Sequence, residues 1–545
     1  MKKYAIGIDY GTLSARALLI DLATGQEAAC SEFVYPHAVM DRSLPDGTPL
    51  GTNFALQHPQ DYLDALSHTV KELLATDGVD ASAIVGIGID FTSCTMLPLT
   101  EDGTPLCFLK EFQSEPCAYV KLWKHHGAGA EADLITNLAA ESGEAWLDSY
   151  GGKVSSEWML PKMLETYNKA PAVYHKAARF MEAADWLVLM LTGKVTYSSC
   201  MAGYKGTWNA KTGFPSKEFL AEVCPDFENI VGTKLSQNVL PTGTKAGEIN
   251  ESGAALTGLA PGTAVTVPII DAHAALPAAG IVEEGKLLLI IGTSGVHIVM
   301  SREEKNVPGI CGMVPGGIIP GYVAYEAGQA CVGDTFDWFV KNCVPAAYHQ
   351  QAQNAGISIF SLLTQKAEKL AVGESGLLAL DWWNGNRTPY ADYELTGAIL
   401  GLTLQTRPEE IYRALIEATA FGTKVITDLY QEHGVPIDEI YAAGGISQKN
   451  ALLMQIYADV LGLPIRVPKN AQSGAFGSAI LASVAGGHFA STKEAADALV
   501  HLDVITYEPD PENHRKYDLL YREYVKLSEY FAKENDVLKK WKELR

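Results

Sequence analysis

Near the start of the chain, Asp9-Tyr10-Gly11-Thr12-Leu13-Ser14-Ala15-Arg16 brings a carboxylate, a glycine and hydroxyls into one short stretch. Glycine lets a backbone approach an anion closely, and Thr or Ser hydroxyls add donors to the N–H groups of a turn, so such a stretch can cradle phosphate. About half the chain later, Gly292-Thr293-Ser294-Gly295 repeats the combination. Either stretch alone is the chemistry of an ordinary hairpin. Two of them, one opening each half, point to phosphate. Asp9 closes the first apolar run, where a carboxylate can hold hydrated Mg²⁺; capping the turn is the other reading. Asp271 ends the apolar run Ala264 to Ile270 and is either a carboxylate facing a cleft or the N-cap of a short following helix.

Further candidates stand alone. Lys205 lies in Gly203-Tyr204-Lys205-Gly206 and either reaches a ligand hydroxyl or is a solvated loop lysine. Glu326 follows the run Tyr322 to Tyr325, where a carboxylate without a partner would be costly, so a buried hydrogen-bonding role is expected. His273, Trp382, Trp383 and Arg387 read as structural. Gly280 to Leu287 resembles a P-loop but lacks the Ser or Thr that binds Mg²⁺, and its two glutamates repel phosphate, so it reads as a connector. No GxGxxG follows a strand, which argues against a nicotinamide site.

The elements that must position these residues follow from periodicity. Tyr4 to Asp9 and Ala15 to Asp21 read as strands around a tight turn, and Ile84 to Phe91 as a further strand ending in the polar cluster Thr92 to Thr95. Leu287 to Ile291, Gly292 to Gly295 and Val296 to Met300 repeat strand, turn and strand. Glu439 to Ala443, Gly444-Gly445, Ser447 to Leu461 and Pro464 to Val467 read as a β-α-β unit with glycines at its corner. Pro511 to Arg545 carries Tyr517, Leu520, Tyr524, Leu527 and Phe531 at helical spacing and reads as a packing helix. A boundary near Ala275 to Gly285 then divides an α/β chain into units 1–275 and 285–545 around a cleft.

Composition narrows the function. At 545 residues, with 47% hydrophobic and 19% charged residues, the chain should fold throughout and form more than one core. A net charge of -22 argues against nucleic acid, which is bound by clustered Lys and Arg. The nine cysteines include no CxxC pair and suggest a reducing, cytoplasmic setting. No apolar run approaches membrane-spanning length, and Asp9 interrupts the first one too early for a signal peptide.

Together DYGTLSAR, the Asp271 segment IIDAHAALPAAG, GTSG, the run Gly397 to Gly422 and GGISQKN at Gly444 to Asn450 resemble the FGGY carbohydrate kinases over nearly the whole chain. FALQHPQDYL, GIDFTSCTMLP, SSEWMLPK, GYKGTWN, AYEAGQACVGDTFDWF and WWNGNRTPY are similar to segments of the members that phosphorylate L-ribulose. The resemblance implies two ribonuclease H-like domains of the actin-like ATPase superfold, with ATP and Mg²⁺ bound in a catalytic cleft between them. It implies Asp271 as general base and, with Asp9, as metal ligand. By the same resemblance Gly11, Thr12, Gly292 and Thr293 form the phosphate loops, Gly444, Gly445, Gln448 and Asn450 border adenosine, and Ser93, Lys205, Asp271 and Glu326 meet the ketopentose. The implied reaction is transfer of the γ-phosphoryl group to the C5 hydroxyl of L-ribulose, in L-arabinose catabolism. A kinase of D-ribulose or xylulose, and an actin-like nucleotide-dependent switch, are the alternatives, and a homodimer is left open.

Overall fold

The computed structural model describes residues 2–469 and 474–540. Its first sheet contains β1 (Tyr4–Tyr10), β2 (Ser14–Asp21), β3 (Glu27–Val34), β4 (Ile84–Phe91), β5 (Lys245–Glu248), β6 (Ala264–Thr266) and β7 (Ile269–Ile270). The strand order is β5-β6-β4-β1-β2-β3, with β7 also paired to β4. β1 runs antiparallel to β2 and parallel to β4, and this register sets Asp9 directly beside Asp90.

The second half repeats the plan with β8 (Gly285–Ile291), β9 (Gly295–Ser301), β10 (Gly312–Pro315), β11 (Val323–Gln329), β12 (Ile437–Ala443), β13 (Ile465–Pro468) and β14 (Val504–Tyr507), ordered β10-β11-β9-β8-β12-β13-β14. Again a central strand, β8, pairs antiparallel with its hairpin partner β9 and parallel with a later strand, β12. The strands are apolar because helices cover them: Ile6, Ile8, Ile87 and Ile89 are buried on the first sheet, Leu287, Leu289 and Ile440 on the second. The connector foreseen at Gly280 to Leu287 is shorter than expected. β8 starts at Gly285, and Lys286 is held there by Glu283 at 3.0 Å and by Glu439 at 3.8 Å.

The late segment crosses back to the first sheet. Helix α1 (Gly474–Ala485), sequence GAFGSAILASVA, packs on β1, β4 and the helix α2 (Asp271–Ala278). The close fit depends on absent side chains: a Cβ on Gly7 would lie 1.8 Å from the Ala475 carbonyl oxygen, and one on Gly88 2.2 Å from that of Ser478. Backbone therefore meets backbone across this face.

The foreseen carboxyl-terminal helix runs from Pro511 to Glu529, continues as one wider turn over Tyr530–Glu534 and ends in the short helix Val537–Lys540; residues 541–545 lie outside the described residues. Tyr517 and Tyr524 are buried, as a packing stripe should be. Their hydroxyls are satisfied, Tyr517 donating to Glu417 at 2.9 Å and Tyr524 to Asp381 at 2.6 Å. Among the described residues no helix is long and apolar enough to cross a membrane.

Candidate active site

The two glycine turns take equivalent positions in the two sheets. In the first, Gly11 N donates to Ser14 O at 3.0 Å, and in the second Gly292 N donates to Ser294 O at 2.9 Å. The first is braced at Thr12, whose carbonyl accepts from Gln57 Nε2 at 2.7 Å and whose hydroxyl accepts from Trp123 Nε1 at 3.1 Å. The second is braced by the start of the helix Gly333–Cys343, where Val332 N and Gly333 N donate to Thr293 O and Gly292 O at 2.8 and 3.0 Å.

A cavity of about 1010 Å³ opens beside the second turn, lined by Gly292, Thr293, Gly333, Tyr412, Gly445 and Asn450 among others. Its volume suits a nucleotide-sized ligand. Gly444 precedes the lining residue Gly445 and holds φ +97°, and a Cβ there would stand 2.3 Å from Ile291 O, so glycine is required. Asn450 splits the helix foreseen over Ser447 to Leu461: its Oδ1 accepts from Leu453 N at 3.1 Å and caps Ala451–Leu461. Gln448 turns elsewhere, its amide donating to Pro468 O at 3.3 Å.

Where the halves face one another, Lys205 ends the helix Ser199–Lys205 and Glu326 projects from β11. Lys205 Nζ lies 3.3 Å from Glu326 Oε1. His273 Nε2 lies 3.0 Å from Glu326 Oε2, close enough for attraction but off the line of a hydrogen bond. The His273 ring stacks on Tyr204 with centroids 4.3 Å apart and is fully buried, the structural role its sequence position suggested. Glu326 is therefore a partnered carboxylate, as its apolar approach required. Burial pushes its carboxyl up, but Lys205, His273 and Arg387 together hold it well below the usual range. Burial works against the Lys205 ammonium as well, but Glu326, with smaller contributions from Cys94, Cys311 and Glu157, holds Lys205 above the usual lysine range.

Asp271 is the first residue of α2, and the N-cap is Ile270. Among the described residues its Oδ1 accepts only from the adjacent Ala272 N, at 2.7 Å, which is not the bond to the second or third residue that defines a cap. Burial raises its carboxyl to about 7; the charges of Asp9 and Glu326 add to the rise, while Ala272 N and Lys205 oppose it. A carboxyl poised there can accept a proton near neutral pH.

Asp9 is likewise raised by burial, opposed by a hydrogen bond from Asp90 and by Arg16. Asp90 is fully buried and raised well above the usual range by burial and by Asp9, and it accepts from Ser478 Oγ of α1 at 2.7 Å. Asp9, Asp90 and Asp271 thus gather hard carboxyl oxygens on the first-half side of the cleft, and of these Asp9 and Asp271 fit a hydrated Mg²⁺ held by one or two carboxylates. Elsewhere, His37, His58 and Asp61 bring ligand atoms within 4.8 Å of one another. There Asp61 is engaged by His37 Nδ1 at 2.7 Å and His37 N at 3.0 Å, and His58 Nδ1 accepts from Gln60 N, so these atoms serve local structure.

Ser93 sits at the end of β4 in the turn Thr92 to Thr95, next to Cys94 with φ +55°. Asp90 and Glu157 were not singled out from sequence, and Arg387 was read there as structural. Glu157 and Arg387 both act electrostatically on Cys311, Lys205 or Glu326, so both face this space. Asp90 had a legible signal: Gly88-Ile89-Asp90-Phe91 repeats the pattern of Gly7-Ile8-Asp9-Tyr10.

Comparison with known proteins gives two family matches: residues 4–277 to the FGGY family of carbohydrate kinases, N-terminal domain, and residues 287–486 to its C-terminal domain. The chain is 50% identical over 538 residues to a ribulokinase of Bacillus licheniformis, covering 98% of each chain. It is 44% identical to a ribulokinase of Mycolicibacterium smegmatis, covering 100% of this chain and 96% of the relative. Among solved structures it resembles a xylulose kinase from Rhodospirillum rubrum, with TM-score 0.81, 25% identity and coverage of 97% and 99%. That likeness bears out the expected α/β fold of ribonuclease H-like, actin-like ATPase units.

Proposed function

Because the chain belongs to the FGGY family of carbohydrate kinases, we propose that it transfers the γ-phosphoryl group of ATP to the C5 hydroxyl of L-ribulose, giving L-ribulose 5-phosphate. The observation that carries the reading is the meeting of Asp271 and Lys205 from one half with Glu326 from the other.

Phosphoryl transfer needs positioning and charge neutralisation more than covalent chemistry. Lys205 and Glu326, already paired, present an ammonium and a carboxylate to the sugar hydroxyls and fix the sugar's orientation. Asp271 takes the proton of the C5 hydroxyl as that oxygen attacks the γ-phosphorus. The backbone N–H groups around Gly11-Thr12 and Gly292-Thr293 receive the phosphates, and Gly444, Gly445 and Asn450 border the nucleoside; Gln448 supports this corner through Pro468. Asp9 and Asp271 would hold Mg²⁺, which supplies positive charge against the phosphate oxygens. The working units are 1–275 and 285–545, with α1 of the second seated on the first. Ser93 lies at the sugar end of β4.

An ATP-consumption screen across the 2-ketopentoses, their aldose isomers and glycerol tests both class and substrate. L-Ribulose should give the highest kcat/KM. Stronger turnover of D-ribulose or xylulose would move the substrate assignment within the family, and turnover indifferent to any sugar would overturn the kinase reading.

A further inference from the structure

Lys162 lies in the segment Ser155 to Lys162 that marked the chain's resemblance, yet the reaction as described gives it no task. It is fully buried on the helix Met159–Lys169. A buried ammonium is costly unless it is paired, and burial lowers this one to about 8. Among the described residues it forms no ion pair. Its Nζ donates instead to two backbone carbonyls, Cys94 O at 2.6 Å and Leu122 O at 2.8 Å.

Those carbonyls belong to the two first-half segments that reach the cleft. Cys94 follows Ser93 in the turn after β4 and holds φ +55°, a backbone conformation that a residue with a side chain adopts only when its surroundings enforce it. Thr95 N, next in the chain, donates to the buried Glu182 Oε2 at 2.8 Å, so the turn is gripped on both sides. Leu122 precedes Trp123, whose indole donates to Thr12 of the first phosphate loop. One ammonium therefore ties the sugar-end turn to the segment that braces a phosphate loop.

Lys121 provides the contrast. It is equally buried, but its Nζ serves Glu165 Oε2 at 2.7 Å, Thr166 Oγ1 at 2.8 Å and Lys162 O at 3.0 Å, all on the helix and none in the cleft segments.

We propose that Lys162 is a positioning residue for the reaction: its ammonium locks the Ser93-Cys94 turn and the Leu122-Trp123 segment into the geometry the ketopentose requires before the sugar arrives. The inference rests on the reading of the cleft as the ketopentose site. The lock is made of charge-assisted hydrogen bonds, which are stronger than neutral ones. Its loss should act on sugar binding, since the nucleotide cavity is lined by second-half residues and the first phosphate loop keeps the bond from Gln57 Nε2 to Thr12 O.

Steady-state kinetics and ATP binding on Lys162→Met and Lys121→Met test it. Lys162→Met should raise the L-ribulose KM by about tenfold to a hundredfold, with the Kd for ATP within about twofold of wild type. Lys121→Met, which loses comparable buried bonds, should melt earlier yet keep the sugar KM within about threefold, well short of that range. Equal effects of the two substitutions on KM would reduce Lys162 to a general structural role and overturn the proposal. A wild type that phosphorylates no ketopentose would instead defeat the substrate reading itself. Hydrogen exchange on the wild-type enzyme decides the matter even if neither variant folds. Amides of 94–96 and 122–124 should be protected in the free protein and gain little on adding L-ribulose. Fast exchange there, with protection appearing only with sugar, would show that the sugar and not Lys162 orders the turn.

Discussion

Asp271→Asn should lower kcat by about 10² to 10⁴, the usual contribution of general-base assistance, while the L-ribulose KM changes far less. The substitution keeps the shape of the side chain and removes its basicity. It should spare the fold, because among the described residues the carboxylate bonds only Ala272 N and the helix cap is Ile270, so Asn can replace Asp without loss of a cap. Melting and ATP binding close to wild type are therefore part of the expected result. A kcat within about threefold of wild type, well below the general-base range, would leave Asp271 no more than a helix-start residue.

Lys205→Ala should weaken L-ribulose binding by about tenfold to a hundredfold, the scale of one charge-assisted hydrogen bond of about 1.5 to 3 kcal/mol. ATP affinity should hardly change. The substitution also strands Glu326, which would keep His273 at 3.0 Å but lose the ammonium that does most to hold it ionised. Glu326→Gln in the same background should consequently recover part of the loss, so the two substitutions should not be additive. Equal losses for sugar and nucleotide, or strict additivity, would show that the pair supports the fold and not the ligand.

Much of this arrangement was legible in the sequence, for reasons that are local. Period-two apolar runs and glycine turns locate β1, β2, β8 and β9, because a hairpin is written in neighbouring residues. Glu326 had to find partners, because an ionised side chain embedded in an apolar strand requires them, and Lys205 and His273 supply them. What escaped depends on distant contacts. Nothing in GAFGSAILASVA says that it crosses to the first sheet; only its small residues, matched by Gly7 and Gly88 on β1 and β4, hint at a close approach. Lys162 reads as an ordinary helix lysine until the chain folds and brings it to Cys94 and Leu122. Arg387 looked like a structural edge residue, yet folding brings its charge to bear on Glu326. Gln448 matched the family pattern by position, but its amide is engaged by Pro468.

The central claim is that this cleft phosphorylates the C5 hydroxyl of L-ribulose. The most direct measurement is NMR of the product formed from ATP, Mg²⁺ and ¹³C-labelled L-ribulose. The account predicts a single phosphosugar whose phosphorus couples to C5, with one ADP formed per sugar consumed. Phosphorus coupled to another carbon, or ADP released without any phosphosugar, would contradict it.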